Sequence, residues 1–234
     1  MAATDTTALA AEYSTLTERG GFVNRSERGK LALTGSGAIE FLNGQVTNEL
    51  VGLGPGEGCY AAFLTHKGKM LGDLRILAVG KVVGEQPSEL LVDTERSALQ
   101  ALFDMIRRFK VGYDVQLHKR TLERSLLSLI GPDADSLASN AFAFDETALA
   151  TREHNHLLAH LGHTPVRLIR TDLGIDALFE TEALESLRDA LEAAGALPVS
   201  EAAAEIVRVE SGRPRYGIDL DESTIPQEAG LNQR

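Results

Sequence analysis

Asp73 is the residue whose position most strongly suggests chemistry. It lies in an apolar run, between Leu71-Gly72 and Leu74, where a strand is predicted. An unpaired buried charge is costly, so a carboxylate there must face water or be held by partners. In one interpretation Asp73 points outward and pairs with Arg75. In the other it lines a cavity and accepts hydrogen bonds from an amine or a ring N–H. The residues alone favour neither.

A second polar cluster lies near the end of the chain and contains Arg208, Glu210, Arg213, Arg215 and Tyr216. Arginine recognises carboxylates through two parallel hydrogen bonds, so this cluster could bind an acidic ligand. A network of surface ion pairs explains the same residues without any ligand, and it is the preferred interpretation.

Two further groups are better explained by structure than by chemistry. Four histidines lie within ten residues, but no acidic or cysteine ligand is spaced to complete a metal site, so an exposed hairpin is predicted. These are His154, His156, His160 and His163. Nothing near Cys59 would lower the pKa of its thiol, so we expect a small buried side chain rather than a nucleophile.

The composition excludes several classes of protein. The chain has 234 residues, 43% of them hydrophobic, and a formal charge of -11, which makes duplex nucleic acid and anionic lipid poor partners. Arg107, Arg108 and Lys110 could form a local basic groove, although a solvated helix face is the simpler interpretation. The single cysteine, the lack of a targeting segment and the lack of a long apolar run predict a cytoplasmic protein with no membrane partner.

The elements that must position Asp73 form an α+β pattern. Between Gly58 and His118 the sequence predicts three strands, a helix and a fourth strand, in a mostly antiparallel sheet. Thr94 is expected to cap the helix, whose apolar stripe runs from Leu99 to Phe109. No dinucleotide, phosphate-loop or serine-hydrolase motif is present, which argues against a nucleotide-driven enzyme or a serine hydrolase.

Four blocks of sequence, in order, resemble one known superfamily. They are FLNGQVTNEL (41–50), YAAFLTHKGKMLGDLRIL (60–77), SLIGPDA (128–134) and RVESGRPRYGIDLDESTIPQEAGL (208–231). Together they resemble the aminomethyltransferase superfamily, which contains the glycine-cleavage T-protein and the YgfZ-type folate-binding proteins linked to iron–sulfur enzymes. The resemblance runs from about Phe22 to Leu231.

The resemblance implies an α+β, T-protein-like fold that binds tetrahydrofolate. Residues 1–50 and 122–234 would form a discontinuous first domain, and residues 51–121 a ferredoxin-like second domain inserted into it. A C-terminal β-barrel would be missing. Asp73 matches an essential aspartate beside the folate and would be the catalytic residue. The resemblance also assigns contacts with the cofactor to Tyr60, Asp73, Arg208, Asn48 and Tyr216, and it assigns no metal.

One departure from the T-protein pattern distinguishes the two branches. The T-protein has a Gly-Tyr-Thr-Gly-Glu run whose glutamate binds the pterin, whereas residues 171–176 read Thr-Asp-Leu-Gly-Ile-Asp here. The tyrosine and the glutamate are absent, although Asp176 is a candidate substitute. This favours the YgfZ-type branch, whose cysteine-containing signature would follow Leu231, so the resemblance also implies a truncated chain.

Three functions therefore remain open. The first is a YgfZ-type tetrahydrofolate-binding protein that supports iron–sulfur cluster assembly or repair in client enzymes. The second is a folate-dependent aminomethyltransferase. The third is a non-catalytic interaction module.

Overall fold

The computed structural model describes residues 6–83 and 86–231, without the side chains of residues 81–83 and 86–88. Residues 1–5 and 232–234, which the expected first domain includes, lie outside the described residues. The first half of the chain contains α1 (Thr6–Glu18), β1 (Gly21–Asn24), β2 (Gly29–Thr34), α2 (Ala38–Asn43), β3 (Gly58–Leu64), β4 (Met70–Val83), β5 (Gln86–Thr94), α3 (Leu99–Phe109) and β6 (Gln116–Lys119).

The second half begins with β7 (Arg124–Ile130) and α4 (Ala134–Phe142). A hairpin of β8 (His156–Leu161) and β9 (Thr164–Arg170) leads into β10 (Gly174–Glu180). The remaining elements are α5 (Leu184–Ala193), β11 (Leu197–Pro198) and α6 (Glu201–Glu210). Short 3-10 turns at Glu146–Ala148 and Thr181–Ala183 precede β8 and α5.

The chain divides into two compact units. The first unit comprises Met1–Ser26 and Glu123–Arg213, and the second comprises Glu27–Leu122 and Pro214–Arg234. This division differs from the expected one, because β2 pairs with β5 and β6 and so lies in one sheet with strands from residues 51–121. The segment after residue 213 also belongs to the second unit, where Met70 N donates to Thr224 O at 2.9 Å.

The first unit is built on a mixed sheet whose described strands run in the order β11-β1-β7-β10-β9-β8. Helices α4 and α5 cover one face, around a core that includes Phe142, Phe179 and Leu187. Helices α1 and α6 contact each other and contribute Leu16, Ala203 and Ala204 to a second, smaller core.

The second unit confirms the α+β pattern predicted for residues 58–118. Its described strands run β3-β4-β5-β2-β6, and each neighbouring pair is antiparallel. The helical stripe is confirmed at Leu102 and Ile106, which are buried. Thr94 does not cap α3, because the strand continues through Thr94 and Ala98 is the residue at the helix N-cap position.

None of the helices within the described residues is long and apolar enough to span a membrane.

Gly72 precedes Asp73 at a place where the backbone is closely packed. A Cβ atom at Gly72 would lie 2.5 Å from Ala98 Cβ and 2.6 Å from Phe63 Cε1. Phe63 is itself buried and adjoins an irregular step in the pairing of β3 with β4, so it has little room to move.

We therefore expect Gly72→Ala to destabilise the protein by about 1–3 kcal/mol through overpacking. Urea unfolding followed by circular dichroism measures this. Gly44→Ala is the control, because a Cβ there would make only ordinary van der Waals contacts. The nearest atom would be Phe41 O, at 3.5 Å. Equal effects of the two changes would contradict the packing argument.

Candidate functional site

The two faces of the second unit's sheet differ in chemistry. Alternate residues on β3, β4, β5 and β2 form the apolar core that packs against α2 and α3. The residues between them point the other way, because successive side chains in a strand alternate between faces. On that opposite face the register places four residues side by side across four strands: Tyr60, Arg75, Asp93 and Lys30. We call this the polar row.

Asp73 lies on the same face, two residues before Arg75 on β4. Its side chain is only 7% exposed, so the outward-facing alternative is wrong. The Tyr60 hydroxyl donates to Asp73 Oδ2 at 2.8 Å, which fixes one side of the carboxylate. Thr94 Oγ1 donates to the Asp73 carbonyl, so the side chain expected to cap a helix instead ties β5 to β4.

The pKa of Asp73 is raised above its usual value. Burial is the main cause, since it disfavours the charged form, and the negative charge of Glu95 adds to it. The hydrogen bond from Tyr60 and the positive charge of Arg28 act in the opposite direction without cancelling the effect of burial. Asp73 is thus a buried carboxyl group with charges of both signs acting on it.

Asp93 joins two arginines in the polar row. Arg75 Nε donates to Asp93 Oδ2 at 2.6 Å, and Arg28 Nη2 donates to Asp93 Oδ1 at 2.8 Å. Arg75 thus pairs with Asp93 across the strands, and it is not the surface mate of Asp73 that the sequence suggested. Burial raises the pKa of Asp93, but Arg75 and Arg28 outweigh burial and hold that pKa at about 2.

Arg28 extends this network to Glu95 and beyond. Its Nη1 pairs with Glu95 Oε1, and Arg215 Nε donates to Glu95 Oε2 at 3.0 Å. Burial lowers the pKa of Arg28, yet the charges of Asp93 and Glu95 overcome burial and raise it above the usual arginine value. Arg28 is therefore a permanent cation inside the second unit.

Lys30 completes the row and is 3% exposed. Its Nζ donates to the carbonyl of Arg28 at 2.9 Å. Burial, together with the positive charges of Arg28 and Arg75, lowers the pKa of Lys30 to about 8, although Asp93 opposes this. The negative charges of Asp93 and Glu27 partly offset the effect of burying this lysine beside two arginines.

Asn48 and Tyr216 lie close to Tyr60. Asn48 Nδ2 donates to Tyr60 O at 2.9 Å, and its Oδ1 accepts from Glu49 N at 2.8 Å, so Asn48 holds the backbone. Tyr216 packs with Tyr60 against a small apolar cluster that includes Ala62 and Met70. Burial raises the pKa of Tyr216, and the acidic groups Glu222, Asp221 and Asp73 add to this.

Arg208 lies in α6 of the first unit, whereas Tyr60, Asp73, Asn48 and Tyr216 lie in the second. Its guanidinium forms a two-point pair with Glu205, with Nε donating to Oε2 at 3.0 Å, and also bonds the carbonyl of Arg213. Four of the five expected contact residues therefore lie in the second unit, whereas Arg208 lies in the first.

The arginines near residue 210 form ion pairs with acidic side chains, as the preferred interpretation of this cluster expected. Arg213 pairs with Glu153 and Asp172, Arg215 pairs with Glu95, and Glu210 accepts from Tyr13. Most of these partners lie outside the cluster, although Arg208 also bonds the carbonyl of Arg213.

The histidine hairpin and Cys59 have structural explanations. Strands β8 and β9 form the expected hairpin, but His156 is buried and its Nδ1 contacts Arg167 Nη1 at 2.9 Å. No group of three or more His, Cys, Asp or Glu within the described ranges could hold a metal ion. Cys59 is buried in the apolar core, as expected of a small buried side chain.

The first unit contains a cavity of about 550 Å³. It lies among α1, the start of α4 and the turn between β9 and β10, and its lining includes Asp135, Arg170, Thr171, Asp172 and Leu173. Arg170 Nη1 pairs with Asp135 Oδ1 at 2.5 Å. The run that departs from the T-protein pattern therefore lines a cavity, whereas Asp176 is buried on β10 opposite Ser128.

Sequence reasoning missed Arg28, Lys30, Asp93 and Glu95. A signal for them existed, because the members of each pair are two residues apart, at the start of β2 and at the end of β5, as Asp73 and Arg75 are within β4. In an extended strand this spacing places both charges on one face. Three such pairs on strands of one sheet indicate a buried charged face.

The shared carboxylate of Asp93 should control stability in acid. The pKa of Asp93 is lower in the folded state than in the unfolded state, where it is near 3.8. Its contribution to the free energy of unfolding is therefore full above pH 3.8 and is lost as pH falls towards 2. Asp93→Asn removes the anion that Arg75 and Arg28 share, and we expect a loss of about 3–5 kcal/mol at pH 7.

Urea unfolding of the wild type and of Asp93→Asn at pH 7, 4 and 2.5 checks this, and the difference between the two should shrink as pH falls. Asp104→Asn is the control, since Asp104 is 52% exposed and lies 3.9 Å from Arg107. A difference that stays constant across this pH range would show that the ion pairs contribute nothing.

The chain is similar to curated aminomethyltransferases. It is 27% identical to the aminomethyltransferase of Prochlorococcus marinus over 231 residues, covering 95% of this chain and 62% of that protein. It is 29% identical to that of Rubrobacter xylanophilus, covering 96% of this chain and 59% of that protein. The chain thus spans about 60% of the length of these curated relatives.

Two solved structures share the fold. One is the glycine cleavage system aminomethyltransferase T from Bartonella henselae, with a TM-score of 0.83 and 21% identity over 96% of this chain and 60% of that chain. The other is a chain of the heterotetrameric sarcosine oxidase from Corynebacterium sp. U-96. Its TM-score is 0.55 and its identity 20%, over 83% of this chain and 96% of that chain.

A family profile described as the GCVT N-terminal domain matches residues 3–234. This match covers both units and the whole polar row. The chain therefore belongs to the GCVT N-terminal domain family.

Proposed function

We propose that this chain binds a reduced folate at Asp73 and takes part in folate-dependent aminomethyl transfer. The observation that carries the proposal is the buried carboxylate of Asp73, held through one oxygen by the Tyr60 hydroxyl. Both residues match positions of the T-protein pattern. The curated relatives named aminomethyltransferase support this function more than the YgfZ-type alternative.

The residues present fit the chemistry of a pterin. A reduced pterin is a flat ring with several N–H donors, and a buried carboxylate is a strong acceptor for such donors. Tyr60 occupies Asp73 Oδ2, so Oδ1 is the oxygen offered to a ligand. The rings of Tyr60 and Tyr216 lie in one apolar cluster and supply a surface for a flat ring.

Asp73 would act by position and charge. Tetrahydrofolate, when bound, supplies the amine nitrogen that accepts the one-carbon unit. Asp73 would orient that ligand through an N–H bond at Oδ1, while Tyr60 stops the carboxylate from rotating. Burial excludes water and strengthens this contact, and such preorganised contacts supply much of an enzyme's rate gain.

Asp73→Asn tests the acceptor directly. It keeps the shape of the side chain but removes the charge, so we expect tetrahydrofolate affinity to fall about ten- to a hundredfold. Tyr60→Phe removes only the hydroxyl that orients Asp73, and we expect a smaller loss of about fivefold. Titration calorimetry under reducing conditions measures both, and an assay for methylene-tetrahydrofolate release measures transfer.

Asp189→Asn, on the exposed side of α5, is the matched control and should bind as the wild type does. Wild-type protein that folds cooperatively yet gives no heat with tetrahydrofolate would reject the proposal and leave an interaction module. Unchanged binding in Asp73→Asn would reject the role of Asp73.

A YgfZ-type function is the second candidate, and one observation favours it. Leu173 and Asp176 stand where the T-protein pattern has tyrosine and the pterin-binding glutamate. Folate binding without aminomethyl transfer would then support iron–sulfur client enzymes in the cytoplasm.

Deleting the gene in its host distinguishes the two functions. Reduced activity of iron–sulfur enzymes, restored by the wild type but not by Asp73→Asn, is the result expected of the YgfZ type. Unchanged iron–sulfur enzymes together with impaired glycine cleavage would reject it.

A further inference from the structure

We propose that the cavity of the first unit is a second ligand site, which binds a small zwitterionic α-amino acid with an apolar side chain. Arg170 binds the ligand's carboxylate, and Asp135 binds its ammonium group. Every described residue that lines this cavity lies in the first unit, whereas Tyr60 and Asp73 lie in the second. The inference therefore goes beyond the proposed folate function and does not depend on it.

Arg170 is held in place by its backbone and by one end of its guanidinium. It is the last residue of β9, where its N donates to Asn155 O at 2.8 Å and its carbonyl accepts from His154 N at 2.9 Å. Its side chain is only 12% exposed, and Nη1 donates to Asp135 Oδ1 at 2.5 Å. The position of the guanidinium is thus set before any ligand arrives.

The other edge of the same guanidinium is offered to a ligand. Within residues 6–83 and 86–231, Asp135 is the only hydrogen-bonding partner of the Arg170 side chain, and Nε is buried without an acceptor. A buried donor with no acceptor costs free energy, which a bound acceptor recovers. The Nε–Nη2 edge of an arginine matches a carboxylate, because the two groups form two parallel hydrogen bonds.

Asp135 supplies the opposite charge. It is the second residue of α4, and its side chain is 45% exposed. Its Oδ1 accepts from Arg170, and in the described part of the chain no contact engages Oδ2. Asp172 also lines the cavity and pairs with Arg213 at 2.6 Å. With two carboxylates near one arginine edge, a simple anion is disfavoured, whereas a zwitterion brings one charge for each partner.

The size and the apolar part of the lining select the ligand's side chain. The cavity volume of about 550 Å³ lies within the range of about 300–1,000 Å³ that small-molecule sites occupy. Leu16, Ile130, Leu173 and Val207 line it, and they belong to the smaller core of the first unit. An aliphatic side chain placed against them leaves water, which favours binding. L-Leucine carries all three groups and is the ligand to test.

The experiment titrates the full chain with L-leucine and with two analogues that each lack one charged group. 4-Methylpentanoate keeps the carboxylate and the aliphatic chain, and 3-methylbutylamine keeps the ammonium and the aliphatic chain. Nitrogen-15 NMR of the labelled protein follows the backbone amides of residues 170–174. We expect L-leucine to bind at least about tenfold more tightly than either analogue, because each analogue loses one ion pair.

Two variants separate the roles of the two charges. Arg170→Lys keeps a cation but cannot form the two-point pair, so affinity for L-leucine should fall at least about tenfold. Asp135→Asn keeps an acceptor for Arg170 Nη1 but removes the anion, so L-leucine should bind more weakly while 4-methylpentanoate does not. Arg188→Gln serves as the control and should bind as the wild type does, since Arg188 is 39% exposed and pairs with Glu185 on α5.

Three results would overturn the inference. The first is a folded wild type whose amides do not shift with L-leucine, and the second is L-leucine binding that either variant leaves unchanged. The third is an analogue that binds as tightly as L-leucine, since one of the two charges would then have no role. If Arg170→Lys does not fold, the contrast between L-leucine and 4-methylpentanoate in Asp135→Asn decides.

Discussion

The ion pairs of Asp93 with Arg28 and Arg75 are the contacts on which the second unit depends. A sheet with one apolar face normally exposes its other face to water. Here five charged or titratable residues are buried: Lys30, Arg75, Asp73, Asp93 and Glu95. Arg28 and Arg215, which are 21% and 18% exposed, pair with Asp93 and Glu95 at the edge of this group. Burying so many charges is tolerable only when they pair closely, and the anion on β5 satisfies two partners at once.

This arrangement leaves Asp73 in an unusual position. The arginines that could have paired with it are engaged by Asp93 and Glu95, and Tyr60 bonds only one of its oxygens. Asp73 is therefore a buried carboxyl group whose charge is not settled by a direct ion pair. Perturbed groups of this kind cluster at functional sites, which is why its environment supports a role in ligand binding.

Much of the second unit could be predicted from its sequence. The alternation around Leu74 and Ile76 and the stripe of Leu102 and Ile106 specify strands and a helix, because each periodicity matches one backbone geometry. Asp73 could be singled out for the same reason, as a charge within an apolar strand. Its partner Tyr60, thirteen residues away, came from the resemblance to a known superfamily.

The remainder depends on long-range pairing, which local patterns do not encode. Threonine is a common helix cap, yet Thr94 lies in β5 and its hydroxyl bonds the carbonyl of Asp73. This tertiary hydrogen bond outweighs the local preference for a cap. Arg28 lies 65 residues from Asp93, so only the sheet order brings them together. The boundary between the units could not be read from local patterns either, because β2 was expected in the first domain but lies between β5 and β6 in the sheet of the second unit.

The connection between Met70 and Thr224 has a consequence for biosynthesis. The strands that carry Asp73 leave the ribosome well before the segment that covers them, and all of residues 123–213 is made in between. Contacts between such distant parts of a chain form slowly. The nascent protein therefore carries an uncovered charged surface until residues 214–231 are translated, and a chaperone or early ligand would meet the sheet in that interval.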